Sequence, residues 1–332
     1  MEMADHLSNA VFVVGAGGIG CALGYALRAG GIDVTFVDAD PVKVRWGRTH
    51  GVGIDGYPLL PAKFVHFAEW QPPPEGIILL CTKCYDNKAV LNRLPATVTV
   101  IPVQNGFDPD LIERSHIEGI ASFVSECLPQ KTHTRITRGG SLHIGHTALS
   151  EHRRESTSVE SLIEVLRRHG RFRVRKVVEI LPYKYAKLMY NSAISPLAAA
   201  AGLDNSRLLI NPMARQLFFA MLRENYRILK DAQVPLGKIG PFHPDVVDRI
   251  LRFRPLAWAL AWPFSVSLRN TYCSMSGDVP KGRTEIDNYN GHLLHLAGDR
   301  PCPLNRRAYA LLKRMEQELL QPALQRLDEL IL

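Results

Sequence analysis

A glycine-rich turn that directly follows an apolar strand constrains this chain more than any other feature. Residues 10–14 (AVFVV) form a continuous apolar run, as expected for a central parallel strand that is buried on both faces. Residues 15–20 (GAGGIG) match the pattern G-x-G-x-x-G, and the stretch after them has helical periodicity that ends at Gly30-Gly31. A strand, a glycine turn and a helix in this order predict the phosphate-binding turn of a dinucleotide-binding domain.

Each position of this turn has a predicted role. Gly15 permits the tight turn, Gly17 lets the backbone approach a pyrophosphate, and Gly20 lets helix and strand pack closely. The N–H groups at the helix start, around Gly18 and Ile19, would hold the phosphates. We therefore predict cofactor contacts at these five residues. An ordinary glycine-rich turn between a strand and a helix is the alternative.

An acidic residue after the second predicted strand bears on the choice of cofactor. Residues 33–37 (DVTFV) are predicted to form this strand, and Asp38 lies 18 residues after Gly20. A carboxylate at this place accepts hydrogen bonds from ribose hydroxyls of NAD and repels the 2′-phosphate of NADP. Asp38 therefore favours NAD over NADP. Asp40 is a second candidate for this role, and the basic residues within 43–48 could soften the discrimination.

The periodicity of the chain changes after Pro182. Before it, strands are predicted at 64–67, 76–81, 98–103 and 173–180, with a helix near 156–169. Shorter strands through IASFVSEC, TRITRGG and SLHIGH are expected to finish the sheet in mixed or antiparallel fashion. After it, helices are predicted at 184–201, 206–232, 245–261, 284–297 and 303–330. The predicted fold is an α/β Rossmann-type dinucleotide-binding domain (residues 1–181) followed by an all-α domain (residues 182–332).

Composition limits the partners of the chain. Its 40 basic and 32 acidic residues give a net charge of +8, which could attract nucleic acid, an acidic membrane surface or a small anion. No nucleic-acid-binding signature accompanies the basic stretch 167–176. The start of the chain lacks a signal-peptide pattern, and the apolar stretch 256–264 is too short to span a bilayer. We predict a cytoplasmic protein with neither nucleic-acid nor membrane partners.

The cysteines and histidines predict no metal site. Cys81 and Cys84 form a C-x-x-C pair without the second pair that a zinc site needs, and they are predicted to be structural thiols. His292 and His295 have no evident third ligand. The aromatic-rich stretch 253–264 is predicted to pack in the core, with a dimer surface or a wide substrate pocket as alternatives.

Several short motifs, taken in order, resemble the ketopantoate reductase family from Gly15 to about Gly291. Besides the glycine turn they are Thr82-Lys83, Gln104-Asn105-Gly106, Lys187-Leu188 with Asn191, Ser192 to Leu197, Ser274-Met275, Thr284 to Asp287, and Asn290-Gly291. Members of that family couple a Rossmann domain to a helical domain and reduce 2-oxo acids. The resemblance therefore implies an oxidoreductase that uses NAD, which Asp38 favours, or NADP.

The resemblance also implies roles for single residues. The lysine that matches Lys187 is similar in role to a general acid, and the glutamate that matches Glu285 helps to hold the substrate. Asn105 matches an asparagine near both nicotinamide and substrate, and Lys83 matches a lysine beside the cofactor. Asn191 and Ser274 match substrate contacts. Ser195 stands where the family usually has asparagine, so a contact to a substrate hydroxyl is altered.

The chemistry of ketone reduction fits these residues. Hydride addition leaves negative charge on the oxygen, which a positioned acid must neutralise. Lys187, Asn191 and Ser195 lie at i, i+4 and i+8 and therefore share one helix face. Lys184 is the alternative acid on spacing alone, and the family match favours Lys187. Glu285 is expected in the first turn of a helix, where the helix dipole favours a carboxylate.

The predicted function is NAD(P)H-dependent reduction of a 2-oxo acid to a 2-hydroxy acid, with 2-dehydropantoate as the leading substrate and pantothenate synthesis as the pathway. One alternative is an NAD-dependent D-2-hydroxy acid dehydrogenase of D-mandelate type. An alternative of another class is a dinucleotide-binding sensor without turnover. The expected partner is the small-molecule substrate, and a homodimer is an open alternative to a monomer.

Overall fold

The computed structural model describes residues 10–147 and 157–331, and over these residues the chain forms two compact units. The first unit runs to Gln104 and resumes over Asp108–Ile180. The second unit contains Asn105–Phe107 and the chain from Leu181 onward. Segment 105–107 is thus part of the helical unit, although the chain on both sides of it is part of the first unit. No sequence pattern indicates this assignment.

A five-stranded parallel sheet forms the core of the first unit. Its strands, in order across the sheet, are β4 (Lys63–His66), β2 (Val34–Asp38), β1 (Val11–Val14), β5 (Ile77–Leu80) and β6 (Thr99–Pro102). Val13 and Val14, consecutive in β1, enter two different apolar clusters, one on each face. Burial on both faces explains why the inner strands β1 and β5 are continuous apolar runs in the sequence, whereas the edge strand β4 is not. The helices of this unit are α1 (Gly18–Ala29), α2 (Pro41–His50), α3 (Asn87–Leu91) and α4 (Thr157–His169).

The remaining strands of the first unit form two small sheets. One has the order β11 (Arg173–Glu179), β10 (Ser141–His146) and β7 (Ile117–Ala121), and the other has the order β3 (Gly53–Ile54), β9 (His133–Arg138) and β8 (Val124–Cys127). The expectation that these segments finish the main sheet is wrong, because they form sheets of their own. Within the described residues, the link from the main sheet to β7 is an isolated bridge between Val103 and Gly119. The short link between β8 and β9 instead favours an antiparallel pair.

The second unit is helical over its described residues. Its α-helices are α5 (Leu181–Ala201), α6 (Asn205–Ile210), α7 (Pro212–Asp231), α8 (Pro244–Arg252), α9 (Arg254–Ser267), α10 (His292–Ala297) and α11 (Pro303–Glu318). A π-helical turn, Asp287–Gly291, leads directly into α10. Within the described ranges of the chain, no helix combines the length and apolar character needed to cross a membrane.

Three helices predicted as continuous are broken: 206–232, 245–261 and 303–330. The first break is at Asn211, whose side chain accepts a hydrogen bond from the Ala214 N–H and so caps α7. The second is at Phe253, which has extended backbone before α9. The third is at Leu319, whose φ of 52° is left-handed and ends α11. Apolar periodicity continues across all three breaks, so it does not reveal them.

Three aromatic side chains of the stretch 253–264 lie on the surface, at the start of α9 and along it. Phe253, Trp258 and Trp262 are 61%, 46% and 73% exposed, so the predicted core packing of 253–264 is wrong for them. Ala257 and Ala261, one turn apart, are the buried residues of this stretch. The helix packs inward through small side chains, which leaves the large ones on its outer face.

Candidate functional site

Two glycines of the turn are required by packing. Gly15 has a φ of +97°, and a Cβ there would lie 2.8 Å from backbone atoms of Cys81 and Thr82. A Cβ on Gly20 would lie 2.0 Å from the carbonyl oxygen of Gly15. Side chains at these two positions would therefore collide with backbone, and the turn keeps its shape because both residues are glycine.

Gly17 differs from its neighbours because it faces open space. A Cβ built there has no heavy atom within 4 Å, whereas one on Gly18 would lie 2.4 Å from the carbonyl oxygen of Ser125. Ile19 packs its side chain against the apolar cluster of the first unit. Gly17 also begins α1, and no side chain caps that helix end. Uncapped N–H groups beside an open backbone position fit the phosphates of a dinucleotide.

Asp38 and Asp40 have different structural roles beside this turn. The Asp38 carboxylate accepts hydrogen bonds from the N–H of Ala16, at 2.7 Å, and from the N–H of Asp40, at 2.9 Å. Asp40 instead caps α2, accepting from the N–H groups of Val42 and Lys43. Of the two acidic candidates, Asp38 is therefore the one that is bonded to the glycine turn.

A buried amide pair joins the ends of β5 and β6, next to Lys83. Gln104 Nε2 donates to Asn87 Oδ1 at 2.7 Å, and Asn87 Nδ2 donates back to Gln104 Oε1 at 2.9 Å. Gln104 Nε2 also donates to the Thr82 carbonyl at 2.8 Å. Lys83, half-buried, then begins a short 3₁₀ turn, Cys84–Asp86. Sequence reasoning missed Asn87. The available signal was a polar amide at the start of α3, the first α-helix after β5.

The segment after β6 is held in the second unit through Phe107. The Phe107 N–H donates to the Asn288 carbonyl at 3.0 Å, and Asn288 Nδ2 donates to the Phe107 carbonyl at 2.9 Å. Lys184, only 3% exposed, places its Nζ 4.6 Å from the centroid of the Phe107 ring. This cation–π contact stabilises the buried ammonium. Asn105, half-buried, lies two residues before Phe107.

His292 stacks on the ring of Phe107, with ring centroids 4.2 Å apart. Burial first, and then the positive charges of His295 and Lys184, lower the pKa of His292 from 6.5 to about 4. Because the folded-state pKa is lowered, protons bind the unfolded chain more readily. Stability from the neutral ring is complete above pH 6.5 and is lost as the pH falls toward 4.

We therefore expect the free energy of unfolding of His292→Phe to depend less on pH below pH 7 than that of the wild type. Between pH 7 and pH 5 the wild type should lose about 2 kcal/mol of unfolding free energy through this residue, and the variant should lack that loss. Urea denaturation of both proteins at the two pH values measures the difference, and the other titrating groups cancel in it. Equal losses in the two proteins would contradict a neutral, buried His292.

The three polar residues predicted on one face of α5 differ in exposure. Lys187 and Asn191 are half-buried, whereas Ser195 is only 2% exposed. This face of α5 therefore becomes more deeply buried toward the C-terminal end of the helix. Lys187 and Asn191 remain the residues of this face that can meet a small molecule, and Ser195 lies deeper, among core residues.

A buried polar network fixes α5 where Pro196 interrupts its hydrogen bonds. Proline has no N–H, so the Ser192 carbonyl, four residues earlier, lacks its helical donor. Asn290 Nδ2 donates to that carbonyl at 2.9 Å and to Asn305 Oδ1 at 2.8 Å. Asn305 in turn donates to the Glu224 carboxylate at 2.9 Å. Asn290, part of a motif singled out from the sequence, thus supports the helix that carries Lys187.

Ser274 and Glu285 are brought together by a residue that sequence reasoning missed. The hydroxyl of Tyr289 lies 3.1 Å from Ser274 Oγ and donates to Glu285 Oε2 at 3.4 Å. Glu285 is 3% exposed and Tyr289 is fully buried. Their i, i+4 spacing was the available signal. Glu285 precedes the π-helical turn Asp287–Gly291 rather than lying in a first α-helical turn, so that expectation is wrong.

A parallel-sheet unit with an open glycine turn, followed along the chain by a helical unit with buried polar groups, defines a Rossmann-type protein of two units. Two family models match the chain: "Ketopantoate reductase PanE/ApbA" over residues 11–152 and "Ketopantoate reductase PanE/ApbA C terminal" over residues 179–316. The chain belongs to the ketopantoate reductase family.

Named relatives and solved structures cover nearly the whole chain. It is 26% identical to a 2-dehydropantoate 2-reductase of Aquifex aeolicus, over 86% of this chain and 89% of the relative. It is 24% identical to one of Archaeoglobus fulgidus, over 93% and 98%. A D-mandelate dehydrogenase solved with NADH has a TM-score of 0.72 at 18% identity, covering 94% of this chain and all of that one. A ketopantoate reductase of Ralstonia eutropha has a TM-score of 0.72 at 20% identity, over 93% and 99%.

Proposed function

We propose that this protein reduces a 2-oxo acid to a 2-hydroxy acid with NADH or NADPH, and that 2-dehydropantoate is its leading substrate. One observation carries the proposal: the buried line Ser274–Tyr289–Glu285 leads into a turn that packs against α5, the helix of Lys187. Reduction of a 2-oxo acid needs a proton donor for the keto oxygen and polar groups that hold the substrate. Lys187, the amide of Asn191 and the carboxylate of Glu285 are groups of these kinds. The names of the curated relatives support 2-dehydropantoate.

The residues of each unit have separate tasks in this reaction. The N–H groups around Gly17 would hold the pyrophosphate of the cofactor, and Asp38 would accept a hydrogen bond from its ribose. When bound, the reduced cofactor supplies a hydride to the keto carbon of the substrate. Lys187 donates the proton that neutralises the charge on the keto oxygen. Glu285, held by Tyr289, accepts a hydrogen bond from the substrate, and Asn191 contacts it.

We expect Asp38→Asn to shift the cofactor preference toward NADPH. A carboxylate repels the 2′-phosphate, whereas an amide does not, and the amide oxygen still accepts from one of the two N–H groups that Asp38 now holds. The ratio of kcat/KM for NADH to that for NADPH should fall about tenfold, as expected when one unfavourable charge contact is lost. An unchanged ratio together with a lowered melting temperature would show that Asp38 serves only the turn.

A second candidate function is an NAD-dependent dehydrogenase of D-mandelate type. Ser195 favours it, because this short and buried side chain stands where the family usually has asparagine. A reductase of 2-dehydropantoate would use that amide to bind a substrate hydroxyl, which phenylglyoxylate does not have. The likeness in fold to a D-mandelate dehydrogenase is compatible with this alternative.

A panel assay tests the proposal. NADH and NADPH oxidation would be followed with 2-dehydropantoate, phenylglyoxylate and aliphatic 2-oxo acids. Turnover of 2-dehydropantoate supports the leading candidate, and turnover of phenylglyoxylate alone supports the second. Silence across the panel, with measurable cofactor binding, would overturn both and favour a sensor.

A further inference from the structure

Three side chains meet at one peptide of the glycine turn. The carbonyl oxygen of Ala16 lies 3.1 Å from Lys43 Nζ, 3.3 Å from Cys21 Sγ and 3.5 Å from Cys127 Sγ. Cys21 lies at the start of α1, Lys43 in α2 and Cys127 at the end of β8. Three elements of the first unit therefore converge on the residue between Gly15 and Gly17.

The two sulfurs share this oxygen as a hydrogen-bond acceptor and therefore lie close to each other. A carbonyl oxygen has two lone pairs, so three donors cannot all form good hydrogen bonds to it. Cys21 and Cys127 also hydrogen-bond to each other, which requires one of the two sulfurs to accept. Cys127 Sγ also donates to the Lys131 carbonyl oxygen at 3.0 Å. Of the two neighbouring thiols, Cys127 is the partly exposed one, and the Lys43 ammonium of the same cluster favours its ionised form.

The electrostatics of the group agree with this assignment. The hydrogen bond from Cys21, together with Lys43, outweighs burial and the charge of Asp38 and lowers the pKa of Cys127 to about 7. The same hydrogen bond, together with burial, raises the pKa of Cys21. Burial alone raises the pKa of Cys81 to about 12, so low thiol pKa is not general in this unit. Cys127 is partly exposed and Cys21 is fully buried, so a solute reaches Cys127 first.

We propose that Cys127 and Cys21 are a modification site: a peroxide-sensitive thiol pair that closes to a disulfide beside the glycine turn. The Cys127 thiolate attacks a peroxide oxygen, the O–O bond breaks, and hydroxide leaves to give Cys127 sulfenic acid. Cys21 then attacks that sulfur, the S–S bond forms and the S–O bond breaks. The Cys21 proton and one proton from solution convert the two hydroxides to water, so two thiols and one hydrogen peroxide give one disulfide and two waters.

Oxidation should alter the turn itself. Both thiol donors to the Ala16 carbonyl are lost, which leaves Lys43, and the joined sulfurs tie the first turn of α1 to β8. The consequence for the cofactor rests on the proposed function: the oxidised protein should bind NADH or NADPH about threefold or more weakly than the reduced protein. A dithiol reductant should restore the affinity.

The disulfide is tested without any substrate or cofactor. The full-length protein would be treated with hydrogen peroxide, denatured and titrated for thiols, and peptide mapping would locate any bridge. The six thiols of the wild type should fall to four, with a bridge from Cys21 to Cys127. Cys21→Ser should retain a sulfenic acid at Cys127 that dimedone traps, and Cys127→Ser should lose no thiol. Cys273→Ser, which changes another half-buried cysteine, should still form the bridge.

A second measurement tests the thiolate in the native protein. The rate of Cys127 alkylation by iodoacetamide should rise with pH around 7, and Lys43→Met should lower the rate at pH 7 about tenfold, whereas Lys43→Arg should retain it. A bridge between other cysteines, oxidation of Cys127 beyond sulfenic acid without a bridge, or an alkylation rate independent of Lys43 would overturn the proposal. Absence of dinucleotide binding to the reduced protein would instead overturn the proposed function and leave the disulfide result standing.

Discussion

Replacing Lys187 with alanine is expected to lower kcat for 2-oxo acid reduction at least about 100-fold, with cofactor binding unchanged. The alkoxide that forms at the substrate needs a proton, and Lys187 is the half-buried lysine on the polar face of α5. Cofactor affinity should stay the same, because Lys187 lies in the second unit and the glycine turn lies in the first. Steady-state kinetics and fluorescence titration with NADH measure the two quantities separately.

Lys184→Met is the matched control for this experiment. Lys184 lies one turn earlier on α5, and its ammonium is buried against the Phe107 ring. Methionine keeps most of the packing and removes the charge, so kcat should change by less than about tenfold. If Lys184→Met abolishes turnover and Lys187→Ala does not, Lys184 is the acid and the assignment of roles on α5 is wrong.

Gly17→Ala is expected to weaken dinucleotide binding about tenfold or more without affecting the fold. The backbone at Gly17 is extended and an added methyl meets nothing in the protein, so the free energy of unfolding should change by less than about 0.5 kcal/mol. The methyl would occupy the space that a phosphate needs to reach the N–H groups of α1. Loss of one charge-assisted hydrogen bond corresponds to about tenfold in affinity. Calorimetric titration with NADH and NADPH gives the dissociation constants.

Gly20→Ala should instead destabilise the fold. Its Cβ would overlap the carbonyl oxygen of Gly15, so the helix must shift and stability should fall by about 1–3 kcal/mol. Comparing the two variants separates a glycine that the ligand requires from one that the fold requires. Normal affinity in a stable Gly17→Ala protein would contradict pyrophosphate binding at this turn.

The main sheet was predictable because its inner strands β1 and β5 are short, continuous apolar runs that end at turn residues. The glycine turn was predictable because strand, glycines and helix are contiguous in sequence. The helix breaks at Asn211 and Leu319 were not, because a capping residue does not interrupt apolar periodicity. The membership of segment 105–107 in the second unit depends on long-range hydrogen bonds to Asn288, which no local pattern indicates.

The candidate site was likewise predictable from the sequence only in part. Lys187, Asn191 and Ser195 share a face by helical spacing, but their unequal burial follows from the packing of α5 in the second unit. Tyr289 was missed because a buried tyrosine in a helical segment is usually a core residue. Its role follows only from the positions of Ser274 and Glu285 around its hydroxyl.

Deuterium transfer from reduced cofactor to substrate is the most direct test of hydride transfer by this protein. The protein would be incubated with 2-dehydropantoate and NADH or NADPH deuterated at C4 of the nicotinamide, in separate samples for the two faces of the ring. The expected product of such a transfer is pantoate that carries one deuterium at C2, from one face of the ring only. Formation of unlabelled product from both samples, or of no product from any 2-oxo acid while the cofactor binds, would contradict it.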